Sequence, residues 1–192
     1  MKAPSIEERL AACPTLKFAG NGYRVIPGSC VANMPGFIRL RFGTTAARCN
    51  PKGVKRIYLG LDPETANEEY RHEIRRGGLD PDLEESFSYP VKVELNAVIN
   101  LTVKDHRVAL GISSRDLRAT WVDRYPPPRD SRKKPLTKLQ VIGLAIAAGH
   151  GSAAAIILPS VRRTGGLNIV VFADRLRKGP DRIADQAGNE MP

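Results

Sequence analysis

Histidine, cysteine and aromatic residues are all scarce in this chain, and each scarcity removes a class of chemistry. The three cysteines, Cys13, Cys30 and Cys49, are odd in number and form no CxxC or Cys/His spacing. That supports neither a disulfide framework nor a zinc site and makes a reducing cytoplasm the expected compartment. The three histidines, His72, His106 and His150, keep no signature spacing to Ser160, and there is no GxSxG elbow, so no serine triad is legible. Five Phe, five Tyr and one Trp are too few for an interleaved basic and aromatic platform that would stack single strands. No apolar run reaches the roughly 18 residues of a transmembrane helix, and the N-terminus lacks the continuous apolar core of a secretory signal. Glycines cluster at Gly149 to Gly151 and at Gly165-Gly166 without the phosphate-loop Lys-Ser/Thr or the dinucleotide GxGxxG, which disfavours both common nucleotide folds.

Positive charge, by contrast, is abundant. Thirty Lys and Arg against twenty Asp and Glu leave a formal charge of +10, a field that draws polyanions without choosing among them. Basic residues run through Arg39, Arg41, Arg48, Lys52, Lys55 and Arg56, then Arg129 to Lys134, then Arg162, Arg163 and Arg175 to Lys178. A basic nucleic-acid-binding module is the alternative this charge supports, but no recognised reading motif accompanies it. At 192 residues the chain can bury a core without metal or disulfide staples.

The pattern of elements is mixed. Ser5 and Glu8 form a capping box for a short helix to about Ala12, stopped by Pro14, and residues 1–22 are expected to be a helical appendage. Residues 37–42 alternate as a half-buried strand, and 54–60 form a second strand with Ile57 and Leu59 on one face and Tyr58 on the other. Val91, Val93, Leu95, Ala97 and Ile99 mark the clearest strand, central or nearly so. A short helix is expected from Ser114, a Pro-rich charged loop from Arg124, a core helix from Pro135 to about Ala148, and two buried strands at 154–158 and 168–172. The main domain is expected at 23–177 and a frayed tail at 178–192. Strands and helices of unequal length without regular alternation predict an α+β fold, a compact mixed sheet with flanking helices.

One helix carries an anomaly. Asp62 caps it, Pro63 opens it and Gly77 ends it. Ala66, Tyr70 and Ile74 make its apolar stripe, and Glu69 and Glu73 fall within or beside that stripe while Glu64 and Glu68 point away. A carboxylate facing inward costs several kcal/mol without a partner, so Glu69 is either half of a structural ion pair or a functional acid.

The ordered set Tyr23-Arg24, Arg48-Cys49-Asn50-Pro51 with Gly53, Ile57-Tyr58-Leu59, Pro63-Glu64-Thr65-Ala66 leading to Glu69, Asn100-Leu101-Thr102, and Pro159-Ser160 with Gly166, Asn168 and Phe172 resembles the RES domain family. The resemblance implies a fold related to ADP-ribosyltransferases and a bacterial toxin that consumes NAD by cleaving its nicotinamide glycosidic bond, with water or inorganic phosphate as acceptor. Transfer of ADP-ribose to a protein is the alternative within that chemistry. It implies catalytic roles for Glu69, Arg48 and Ser160, and NAD contacts from Arg24, Arg48, Tyr58, Ser160 and Asn50. NAD enters as substrate and no metal is expected. The implied partner is a cognate antitoxin of helix-turn-helix type covering the active site. The sequence departs from the family at Cys49, where an aromatic is usual, at Asn100, where aspartate is common, and at Leu158, where an aromatic is frequent.

Overall fold

The computed structural model describes residues 3–31, 41–83, 85–118, 135–186 and 188. In chain order the helices are α1 (Ile6–Ala12), α2 (Gly28–Val31), α3 (Pro63–Arg76), α4 (Lys104–Leu110), α5 (Ser114–Arg118) and α6 (Lys138–Ala147). The strands are β1 (Leu16–Pro27), β2 (Arg56–Gly60), β3 (Ser86–Asn100), β4 (Ala155–Pro159), β5 (Leu167–Phe172) and β6 (Arg182–Ala184). The mixed α+β class predicted from the element order is the class found.

The strand order is β1-β2-β5-β4-β3-β6, with β1 also paired to β3, so five strands close on themselves. Only β3 and β4 run parallel; the remaining pairs are antiparallel. The alternating strand is the hub: β1 takes one edge of β3, while β6 at Lys92–Glu94 and β4 at Val98–Asn100 take the other. β1 and β2 meet at one register pair, Tyr23 opposite Gly60, whereas β1 and β3 pair over almost the whole of β1. The closure is therefore weakest between β1 and β2.

Strand alternation divides the apolar residues between two cores. Ile156, Leu158, Val170 and Phe172 join Leu10, Leu110, Leu117, Leu139, Ile142 and Ile146 under the helices. Ile57, Leu59, Val91, Val93, Leu95, Ile157, Ile169 and Val171 fill the opposite face. Tyr58 packs against the helical core, away from Ile57 and Leu59, as the alternation predicts.

Helix α3 follows its sequence signals. Asp62 Oδ1 accepts the Thr65 N–H at 2.7 Å, Asp62 Oδ2 accepts the Thr65 hydroxyl at 2.7 Å, Pro63 opens the first turn and Gly77 caps the end. The helix packs on β1, β2 and β5, and it approaches so closely that a Cβ at Gly60 would strike the backbone of Ala66. Its buried residues are Thr65 and Ala66, while Glu73 lies exposed and pairs with Arg76 at 3.3 Å.

Several boundaries differ from the sequence reading. The expected limit at residue 22 falls inside β1, and Leu10 of α1 is buried with α4 and α6 residues, so the N-terminal segment is part of the packed fold. The expected frayed tail contains β6, whose Ile183 and Ala184 are buried against β3 because their apolar pair completes a free strand edge. The second strand begins at Arg56, and the core helix begins at Lys138 because Thr137 caps it. Of the strand expected at 37–42, residues 37–40 lie outside the described set, and Arg41 and Phe42 belong to no strand. The Pro-rich loop lies outside the described residues except for Pro135, as do residues 119–121 of the short helix.

Helix α6 holds the loop before β2. Gln140, fully buried, accepts the Thr137 N–H through Oε1 and donates through Nε2 to the Ala47 carbonyl at 2.9 Å. One turn on, Gly143 lies so close to the Cys49 carbonyl that no Cβ fits. Gly143→Ala is accordingly expected to destabilise the fold by about 3 kcal/mol, since overpacking a tight contact forces backbone to move. Urea unfolding checks this; an unchanged midpoint would show that α6 does not press on the loop.

Candidate functional site

Three segments converge on Glu69. Its Oε1 accepts a hydrogen bond from the Ser160 hydroxyl at 2.7 Å and another from Asn168 Nδ2 at 2.7 Å. Among the described residues no hydrogen bond reaches Oε2. The side chain is half-buried, so the inward placement inferred from the helix stripe holds, and its partners are a hydroxyl and an amide on the loop after β4 and on β5.

Ser160 is itself fixed. Its Oγ accepts the backbone N–H of Arg162 at 3.0 Å and of Arg163 at 3.1 Å, and its own N–H donates to the Gly166 carbonyl at 2.8 Å. The hydroxyl proton and both lone pairs are thus engaged, which suits a positioning group and not a nucleophile. The loop is tied to α3 by Arg163, which donates to Asp62 Oδ1 at 2.8 Å and to the Thr65 hydroxyl at 3.2 Å.

Arg48 ties the loop before β2 to the same place. Its guanidinium donates to the Pro159 carbonyl at 2.7 Å and to the Leu117 carbonyl, and its Nε is buried without a hydrogen-bond partner. Burial pulls its pKa down, opposed in part by the Glu69 carboxylate. Behind it, the Tyr58 hydroxyl donates to Asn50 Oδ1 at 3.2 Å and accepts the Cys49 N–H at 2.7 Å. Arg56 donates to the same Asn50 oxygen at 3.1 Å and lies 5.3 Å from the Tyr58 ring centroid, a cation–π distance. Burial raises the Tyr58 phenol well above its usual value, so it stays protonated and keeps donating.

Between these segments, beside the weak β1/β2 junction, opens a cavity of about 590 Å³. Its charged lining comprises Arg24, Arg41, Arg48, Arg56, Arg76 and Arg162 against Glu69 and Glu73, with His72 on the same wall. Six arginines against two glutamates give this lining a positive balance, which favours anions. Arg24 donates to the Arg41 carbonyl at 3.0 Å, and burial, then repulsion from Arg56, depresses its pKa. Burial and then Arg162 likewise lower His72, which favours the neutral imidazole. The size suits a dinucleotide-class ligand.

Of the residues singled out from the sequence, Glu69, Arg48, Tyr58 and Arg24 line this cavity. Ser160 does not; it supports Glu69 from outside the lining. Asn50 is fully buried and also absent from the lining, where its side chain braces Arg56 and Tyr58. Asn168 and Arg162 received no role from the sequence. A buried amide in the otherwise apolar run Leu167 to Phe172 was the available signal for Asn168; Arg162 had none beyond its charge. Of the departures from the family pattern, Cys49 is a fully buried thiol pushed up to about 11 by burial, and Leu158 lines the cavity wall. Asn100 lies away from the cavity lining, closing a turn by accepting from Thr102.

The basic run Arg175 to Lys178 is partly committed to structure, with Arg175 on the Gly151 carbonyl and Arg177 on Asp181, while Arg129 to Lys134 lie outside the described residues. Among the described residues no group of three or more His, Cys, Asp or Glu is placed to hold a metal ion, and no helix is long and apolar enough to cross a membrane.

The RES domain family model matches residues 23–189, most of the chain. The protein belongs to the RES domain family. No curated protein matches the sequence. A solved structure described as the M. tuberculosis MbcT-MbcA toxin-antitoxin complex contains a chain that superposes with a TM-score of 0.62 at 20% identity, over 94% of this chain and 89% of that one. At that identity the likeness is one of fold.

The buried thiol of this RES domain carries a pH signature. Cys49 ionises near its usual 9.0 when unfolded and near 11 when folded, so the unfolded state loses a proton first and stability falls as pH rises through that window. Cys49→Ala is expected to make the decline between pH 9 and 10.5 shallower, by at most about 1.4 kcal/mol per pH unit, in urea melts. Parallel pH profiles for variant and wild type would contradict the buried neutral thiol.

Proposed function

We propose that this RES domain cleaves the nicotinamide–ribose bond of NAD, with water or inorganic phosphate as acceptor, and so acts as an NAD-depleting toxin. The observation that carries this reading is Glu69: a carboxylate held through Oε1 by two donors, with Oε2 receiving no hydrogen bond among the described residues, on the wall of an arginine-rich cavity.

Breaking the bond returns its electron pair to the pyridinium nitrogen, releases neutral nicotinamide and leaves positive charge on the ribose ring. A fixed carboxylate beside that ring stabilises the developing charge or accepts a hydrogen bond from a ribose hydroxyl. Ser160 and Asn168 orient the carboxylate beforehand, so little reorganisation is needed when charge appears. The guanidinium-rich wall receives the pyrophosphate, since forked charge-assisted hydrogen bonds match phosphate geometry. Tyr58, with its hydroxyl locked and Arg56 over its ring, serves as an aromatic wall for the nicotinamide. The acceptor oxygen then bonds to the ribose carbon and loses its proton.

The reading includes a cognate antitoxin of helix-turn-helix type that covers the cavity. The basic balance of +10 suits an acidic partner, and the structurally similar chain comes from a toxin-antitoxin complex.

Purified protein incubated with NAD is expected to release nicotinamide. Free ADP-ribose marks water as acceptor, ADP-ribose-1″-phosphate marks phosphate, and label retained on protein marks ADP-ribosyl transfer. No release in any buffer would contradict the reading. Glu69→Gln is expected to fold like the wild type and to lower kcat by roughly 10²- to 10³-fold; near-full turnover would remove Glu69 from the chemistry.

A further inference from the structure

Resting on the NAD-cleaving reading, we infer that Arg162 is the residue that grips the substrate's 5′-phosphate on the nicotinamide side, in place of Arg48, to which the family resemblance gives an NAD contact. The guanidinium of Arg48 is already spent on structure: it donates to the carbonyls of Pro159 and Leu117, and its Nε is enclosed. Arg56 is similarly committed to Asn50 and Thr45, and Arg163 to Asp62 and Thr65. Arg162 differs. Its side chain lines the cavity and makes no hydrogen bond or ion pair among the described residues.

Its backbone is nevertheless pinned close to the reacting centre. The Arg162 N–H donates to Ser160 Oγ at 3.0 Å, and that hydroxyl donates to Glu69 at 2.7 Å, so two hydrogen bonds separate the Arg162 backbone from the carboxylate. The 5′-phosphate hangs from the same ribose that Glu69 would hold, which places this anion on the Arg162 side of the cavity. The charge environment fits. Arg162 disfavours the charged forms of Arg48 and His72 on the same wall, while Glu69 acts in the opposite sense on both. A bound phosphate offsets the effect of Arg162. A free, locally anchored guanidinium supplies the fork that a phosphate accepts, with five N–H donors in fixed geometry.

Three substrates separate this role from a general one: NAD, nicotinamide mononucleotide, which keeps the 5′-phosphate, and nicotinamide riboside, which lacks it. Arg162→Met is expected to raise KM for NAD and for the mononucleotide about tenfold or more, with kcat changed far less, and to leave kcat/KM for the riboside within about twofold. Arg162→Lys should recover only part of the loss, because a point charge does not reproduce the fork. Unchanged KM for both phosphorylated substrates would overturn the assignment, and so would an equal loss on all three. Failure of the wild type to release nicotinamide from NAD would refute the catalytic reading instead. Binding of ADP-ribose to the wild type and to Arg162→Met, followed by calorimetry, supplies a readout independent of turnover: similar affinities would also overturn the role of Arg162.

Discussion

One carboxylate oxygen, Oε1 of Glu69, is where the helix after β2, the loop after β4 and the strand β5 are joined. An ion half-withdrawn from water is unfavourable unless donors replace the lost solvent. Here a hydroxyl and an amide do so, each a hydrogen bond to a charged group worth about 1.5 to 3 kcal/mol. The same two bonds engage Oε1 and leave Oε2 without a hydrogen bond among the described residues. Much else in this region serves to hold those donors in place: Gly60 lets α3 settle on β2, Arg163 ties the Ser160 loop to Asp62, and Arg48 holds Pro159 from the other side.

The arginines fall into two kinds. Arg48 and Arg56, on the cavity lining, donate to the Pro159, Leu117 and Thr45 carbonyls and to Asn50, while Arg163, outside the lining, donates through Nη1 to Asp62 and Thr65. Among the described residues Arg162 is anchored through its backbone alone. Under the proposed reading, groups already held in place need no reorganisation when an anion binds, and an uncommitted guanidinium such as that of Arg162 supplies hydrogen bonds to it. The exposed pair Arg71–Asp82 stands outside this scheme and contributes little by comparison.

Much of this was legible in the sequence where local rules dominate. The caps of α3, the capping box of α1, the alternation of β3 and the opposed face of Tyr58 all follow from short-range spacing and were read from it, whereas the Thr137–Gln140 capping box that starts α6 was not. Glu69 stood out because a carboxylate broke an apolar stripe. The misses share a different cause: they depend on what long-range pairing brings near. Asn50 sits in a turn motif, yet β2 draws Arg56 and Tyr58 over it and removes it from the cavity. Arg48 was given an NAD contact, and nothing local shows that the Leu117 and Pro159 carbonyls will occupy its guanidinium. Arg162 looked like one charge among many, and β6 was hidden in a polar tail because its apolar pair, Ile183 and Ala184, is short.

The most direct test of the central claim is a crystal structure of the Glu69→Gln variant with NAD bound, read as the distance from the nicotinamide-ribose hydroxyls to the side chain at position 69. The account predicts a ribose hydroxyl within about 3 Å of that side chain and the pyrophosphate against the arginine wall. A dinucleotide bound elsewhere, or one in this cavity with its nicotinamide ribose out of hydrogen-bond reach of position 69, would contradict it.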